Sequence, residues 1–248
     1  MKEAQNEFFK YTESYKKYGP KIELKISHTV RVEKLCVDIA KSLNLSDEDV
    51  ELADMCGLLH DIARFEQWKR YQTYSDLASL DHGDLGVEIL KKNNFINKFT
   101  KKNHETIFRA VKYHNKYRVP NTISDRNKLF VNITRDADKI DILQLFVNGG
   151  LVNHTEDAII SDKVYKAILD KKEIKRTDVK TKADDIAVRL GFVFDLNFKR
   201  SYEILKETDY INKMIDVQIK DTKNETLVKQ LNELREFVNK YIGEMIKC

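Results

Sequence analysis

Ser46-Asp47-Glu48-Asp49-Val50-Glu51-Leu52-Ala53-Asp54-Met55-Cys56-Gly57-Leu58-Leu59-His60-Asp61 decides the fold class. Ser46 can accept a hydrogen bond from a free amide of a first helical turn, and Asp49 stands where a capping-box acid would. The helix so opened runs directly into His60-Asp61. The same 3.6-residue period recurs along nearly the whole chain, and no alternating strand with a hairpin turn interrupts it. The fold is therefore expected to be all-α. Helices are predicted over roughly 2–18, 28–43, 47–60, 82–93, 103–115, 126–147, 156–169, 181–194, 197–206, 208–217 and 222–246.

At 248 residues the chain can bury one substantial core with an appendage. Only 8 Gly and 2 Pro occur, so nothing marks a flexible linker. Gly149-Gly150 is the clearest break, which gives an N-terminal helix over 1–19, a core over 20–148 and a helical extension over 149–248 packed on that core. The 44 basic and 40 acidic side chains nearly cancel, and Lys and Glu alternate on helix surfaces. That pattern describes solvated faces and points away from nucleic acid, whose grip needs a basic stripe. Cys36, Cys56 and Cys248 show no CxxC spacing and read as reduced packing residues. No apolar segment at the N-terminus suggests a signal peptide, and no run approaches the ~18 apolar residues of a membrane span, so a cytoplasmic protein is expected.

Four of the six histidines, His28, His60, His82 and His114, fall on helices facing the apolar side. A single inward imidazole is ordinarily a hydrogen-bonded core residue. Several of them beside carboxylates are costly to bury without compensation, which a divalent ion provides by accepting neutral nitrogen and anionic oxygen together. A mixed His/carboxylate set suits Mn, Fe, Co, Zn or Ni better than Mg. Asp136, Asp138 and Asp141 compete for the distal carboxylate, because the helix around them is apolar on nearly all sides. His104 and His154 read as surface residues. The aromatic run Phe192-Val193-Phe194-Asp195-Leu196-Asn197-Phe198-Lys199-Arg200 reads as packing, with coverage of the metal site by Arg200 and Tyr202 as the alternative.

The order His28, His60-Asp61 and Asp138, with the contexts His28-Thr29-Val30-Arg31-Val32, Gly57-Leu58-Leu59-His60-Asp61-Ile62-Ala63-Arg64 and Asp136-Ala137-Asp138-Lys139-Ile140-Asp141, resembles the H…HD…D pattern of HD domain phosphohydrolases over about 120 residues. The resemblance implies a helical core and a metal held by His28, His60, Asp61 and Asp138. It selects Asp138 where periodicity does not. His82 and His114 are similar to the two further histidines of binuclear members, with Asp61 bridging two ions; many such members carry adjacent histidines where this chain has His114-Asn115. The implied activity is hydrolysis of a phosphoester or phosphoanhydride, of a nucleotide or small phosphorylated metabolite, through metal-activated water. Asp61 and Arg64 would be catalytic, with Arg64 and Lys139 as substrate contacts; a structural ion pair is the other reading of Arg64. The same ligand set also serves HD-type di-iron oxygenases, and a regulatory metal-binding module without turnover is a third reading.

Overall fold

Gly19, at φ +100°, turns the chain so that Pro20 can take the first position of a helix, where its missing N–H is no loss. The computed structural model describes residues 2–97, 100–148 and 158–247. Two compact units emerge, Met1–Asp141 and Ile142–Cys248. The division falls inside one helix, ahead of Gly149-Gly150; that glycine pair and His154 lie outside the described residues.

The first unit holds α1 (Lys2–Glu13), α2 (Pro20–Ser42), α3 (Asp47–Leu59), α4 (Ala63–Tyr71), α5 (His82–Lys92), α6 (Lys101–Tyr113) and most of α7 (Asp125–Val147). Helix α2 starts a full two turns before the periodicity predicts, because Pro20 supplies a start signal that the apolar spacing lacks. Helix α4 was absent from the predicted set: between His60 and Tyr71 the charged and polar residues outnumber the apolar ones, so no stripe is visible. Ser46 does cap α3, its Oγ accepting from the Asp49 N–H at 3.2 Å. No strand occurs among the described residues, and none of their helices is long and apolar enough to cross a membrane. The all-α class holds.

Helices α2 and α3 pack along most of their lengths. Gly57 makes this possible, since a Cβ there would lie 2.8 Å from the Glu33 Cα and 3.0 Å from the Cys36 Sγ. Cys36 and Cys56 are buried free thiols in this interface, as the sequence suggests. Phe8 of α1 meets Phe65 of α4 edge-on at 5.9 Å, and Tyr15 donates to Glu66 at 2.9 Å, which fixes the N-terminal helix on α4.

An acid pair is buried between α2 and α3. Asp54 and Glu33 are each 3% exposed, and Gln5 of α1 donates to Glu33 at 2.6 Å. Burial, then the hydrogen bond and charge of Glu33, push the Asp54 carboxyl up to about 8. An acid whose folded-state pKa is raised gives stability that is complete below the unfolded value of about 4 and is lost as pH rises through the folded one. The melting temperature should therefore fall by several degrees between pH 5 and 8.5, and Asp54→Asn should flatten that slope. An unchanged slope in thermal melts would mean that Asp54 is ionised throughout.

The second unit contains α8 (Asp162–Leu169), α9 (Lys182–Gly191), α10 (Lys199–Thr208), α11 (Tyr210–Asp221) and α12 (Glu225–Lys247). Its core is the α12 stripe Leu227, Leu231, Leu234, Val238 and Ile242, against which α10 and α11 pack. The aromatic run resolves as packing: Phe194 contacts Tyr241 at 5.0 Å and Phe237 at 6.0 Å, and the buried Tyr202 donates to the Leu196 carbonyl at 2.9 Å. Arg200 pairs with Glu207 at 2.6 Å.

Candidate metal centre

The site begins where α3 ends. His60 is the C-cap, still helical at φ −53° and ψ −42°, and Asp61 follows in the turn that leads into α4. Consecutive side chains at a helix end can both turn inward, and here both are buried. His28 comes from the middle of α2, and His82 opens α5 behind Asp81, whose carboxylate caps the Asp84 N–H at 3.0 Å. His114 ends α6. Arg135 of α7 fixes that end, donating to the carbonyls of Tyr113 at 3.1 Å and His114 at 3.2 Å. Asp138 lies one turn further along α7.

Each imidazole is oriented through its Nδ1. His60 Nδ1 meets the Gly57 carbonyl at 2.7 Å and His114 Nδ1 the Val111 carbonyl at 2.8 Å. His28 Nδ1 meets Asp141 at 2.6 Å and His82 Nδ1 meets Asp76 at 2.6 Å. All four acceptors require the proton on Nδ1, which leaves each Nε2 lone pair turned toward the cavity. Asp141 is itself gripped by Arg31, at 2.5 and 3.0 Å, so it braces His28 and does not compete with Asp138.

Two clusters of candidate ligand atoms result, and they share Asp61. In the first, His28 Nε2 lies 3.4 Å from Asp61 Oδ2, 3.2 Å from Asp138 Oδ1 and 3.3 Å from His60 Nε2, while His60 Nε2 lies 3.6 and 3.7 Å from the same two oxygens. In the second, Asp61 Oδ1 lies 3.4 Å from His82 Nε2 and 3.5 Å from His114 Nε2, which are 3.0 Å from each other. An ion with bonds of about 2.1 Å keeps neighbouring ligand atoms about 3.0–3.5 Å apart. Facing imidazole lone pairs repel at this range unless a positive charge lies between them. The donor set therefore fits a divalent ion, and both His28-His60-Asp138 and His60-Asp61-His114 group closely enough to hold one.

Electrostatics agree with the geometry. Burial pushes the Asp61 carboxyl up, but Lys25, His60 and Arg64 outweigh it and hold it well below the usual range; His28 and His60 do the same for Asp138. Burial lowers the His82 imidazole to about 4, with Arg64 adding to the effect against Asp76. Burial lowers His114 as well, against Asp61. Both shifts favour the neutral form, which is the form that can ligate. At His28, burial and Lys25 press downward, yet Asp138, Asp141 and Asp61 raise the ring to about 9: three carboxylates draw positive charge to its Nε2, where an ion would take the place of a proton.

Residues 26–143 match the family profile of the HD domain. This segment is an HD domain. It contains all six residues of the two clusters, and members of this superfamily are mostly metal-dependent hydrolases. No curated protein and no solved structure gave a match.

In the HD domain and directly before it, several residues at the site carry no signal in the sequence. Lys25 places its Nζ 2.7 Å from Asp61 Oδ2, and only its spacing of one helical turn before His28 could have flagged it. Asp76 sits in a short 3₁₀ turn between α4 and α5, where no periodicity exists. Asn115, which stands in place of a second adjacent histidine, donates to Asp76 at 3.0 Å and so braces the partner of His82. His104, expected at the surface, is half-buried with its Nε2 enclosed, because its ring packs near Phe108 at 6.5 Å.

Arg64 is tightly held. Its Nη1 donates to Gln67 at 2.8 Å, the Tyr74 carbonyl at 2.7 Å and Asp76 at 3.1 Å, and its Nε to Asp61 at 3.3 Å. Among the described residues these four bonds use Nε and Nη1, and not Nη2. Lys139 follows Asp138 on α7 and is half-buried.

The second cluster depends on two glycines. A Cβ at Gly83 would lie 2.7 Å from both the Lys112 carbonyl and the Asn115 Oδ1, and one at Gly86 would lie 2.6 Å from the Val111 Cγ1. Helix α5 thus approaches α6 closely enough for His82 and His114 to meet. Gly83→Ala must push α5 away, since backbone cannot yield as a side-chain tip can. We expect this variant to keep the first cluster and to bind an ion at the second at least about tenfold more weakly, by analogy with losses around metal sites. Metal titration with elemental analysis checks this, and unchanged two-site binding would show that the helix spacing is not critical.

Proposed function

We propose that this chain is a binuclear metal-dependent phosphohydrolase acting on a nucleotide or another small phosphorylated metabolite. The observation that carries the reading is the division of the Asp61 carboxylate, Oδ2 toward His28 and His60, Oδ1 toward His82 and His114. Divalent ions there would supply Lewis acidity and a water of lowered pKa. Nitrogen-rich ligation favours Mn, Fe, Co, Zn or Ni over Mg.

The surrounding charges favour an anionic substrate. Lys25, Arg31 and Arg64 already offset three of the four carboxylates Asp61, Asp76, Asp138 and Asp141, so one negative charge remains, and two divalent ions would leave the site net positive and draw an anion. The three acceptors on Arg64 Nη1 fix the guanidinium plane, which presents Nη2 as a pre-organised donor to a phosphoryl oxygen. Lys139 is a further candidate contact. The buried ligand rings keep bulk water from the inner side of the cavity.

The test is a panel of nucleotides, dinucleotides, cyclic nucleotides and sugar phosphates offered to protein reconstituted with each metal, with phosphate release as readout. Turnover that depends on added metal supports the reading. No release from any substrate, together with the optical and magnetic features of a mixed-valence di-iron centre in aerobic preparations, would replace it with oxygenase chemistry.

A further inference from the structure

Asp61 carries a cation on each of its oxygens. Lys25 Nζ sits 2.7 Å from Oδ2, and Arg64 Nε sits 3.3 Å from Oδ1. These are the same oxygens that face the first and second ligand clusters. Engagement of Asp61 by ions therefore puts both cations in competition for it, and the two differ in what else holds them.

Arg64 has Gln67, the Tyr74 carbonyl and Asp76 as further acceptors, and it stays where it is. Lys25 has Asp61 as its ion-pair partner, and the only other contact we find for its ammonium among the described residues is the face of Tyr74, 5.5 Å away. Its side chain is 13% exposed against 3% for Asp61, so the ammonium lies between the buried ligands and solvent. Four methylenes let such a head swing several ångströms without moving the backbone.

Tyr74 gives the swing a direction. Its ring is held by a hydrogen bond from its hydroxyl to the Lys21 carbonyl at 2.8 Å and by the Trp68 ring at 4.9 Å. The same ring faces Arg64 at 5.7 Å. One aromatic face thus stands beside both cations, and an anion arriving over Asp61 meets the Arg64 guanidinium on one side and the Lys25 ammonium on the other.

We propose that Lys25 is a substrate-binding residue, resting on Asp61 Oδ2 until that oxygen is engaged and then gripping a phosphoryl oxygen on the His28-His60 side of the site. This assignment rests on the phosphohydrolase reading above and adds a residue to it. A lysine that only balances charge in the empty site would affect metal uptake and nothing else. A lysine that grips phosphate affects anion binding after the metals are in place.

The experiment separates these roles in the full-length protein. Lys25→Met, Lys25→Gln and Lys25→Arg are saturated with manganese, their metal content is measured, and inorganic phosphate is titrated in by calorimetry. Met and Gln variants should hold manganese at the wild-type stoichiometry, with affinity equal or higher because a competing cation is gone. They should bind phosphate about tenfold more weakly or worse, as loss of a charge-assisted hydrogen bond implies, while Lys25→Arg stays within about threefold. If Lys25→Met does not fold, Lys25→Gln decides. Wild-type phosphate affinity in the loaded Met or Gln variant overturns the assignment, and so does loss of manganese in both, which would make Lys25 structural. If the loaded wild-type protein binds no phosphate, the phosphohydrolase reading itself falls; if it does and the variants match it, only the role of Lys25 falls.

Discussion

Asp61→Asn is expected to strip the protein of both ions and to lower kcat/KM on its best phosphorylated substrate by roughly 10³-fold or more. The carboxylate has two equivalent anionic oxygens, and each serves a different cluster at 3.4 to 3.6 Å. Carboxamide has one oxygen to offer and a nitrogen that carries protons and cannot ligate. Whichever way it turns, one cluster meets an N–H group. Loss of the charge also leaves Lys25 and Arg64 facing a neutral group, so two cations then repel any incoming ion. Fold loss is not expected, because Asp61 lies beyond the end of α3 and the Gly57-dependent α2–α3 contact does not use it. Metal analysis after dialysis, alongside a thermal melt, reads the result; a variant that retains two equivalents and turnover would show that the centre is organised around some other residue.

Arg64→Ala should lower kcat/KM by about 10²-fold while leaving metal content at saturating ion unchanged. The reasoning turns on what remains after the side chain is removed. Asp76 keeps Gln67 at 2.9 Å, Asn115 at 3.0 Å and His82 at 2.6 Å, so the brace on His82 survives. The Tyr74 carbonyl loses a donor at a half-buried position, where water can replace it. What vanishes is the oriented Nη2, and Arg64→Lys should recover only part of the rate because an ammonium has no planar fork. If the alanine variant instead loses an ion or melts early, the four hydrogen bonds describe the whole of its role, and phosphate contact passes to other basic residues.

How far the sequence could be read depended on the local pattern around each residue. His28 and His82 stand among apolar residues at helical spacing, so their inward direction is visible without a structure. Asp138 is different: α7 carries buried side chains at 136, 137, 140 and 141 on more than one face, and only the resemblance to HD proteins selected it. Lys25 carries no such mark, since nothing local distinguishes a cation turned inward from one turned out. Helix α4 was missed for want of a stripe, and Asp76 because turns have no period. Braces of this kind are set by tertiary geometry, and Asp76 and Asn115 are separated by two helices, α5 and α6, along the chain before they meet.

The segment between α4 and α5 is secured by polar fastenings and not by buried apolar side chains. Gln67, itself fully buried, reaches Asp76, Ser79 and the Leu80 carbonyl at 2.9, 2.9 and 3.2 Å, whereas Leu77 at its tip is 86% exposed. Segments held in this way open locally at a fraction of the global unfolding free energy. Asp76 would leave with the segment, and His82 would lose the acceptor that orients it, while His28 and His60 keep theirs on rigid helices. The two halves of the proposed centre are thus set to run on different clocks: an ion beside His82 and His114 would come and go at the pace of a surface loop, and its neighbour would stay for as long as the helix bundle does.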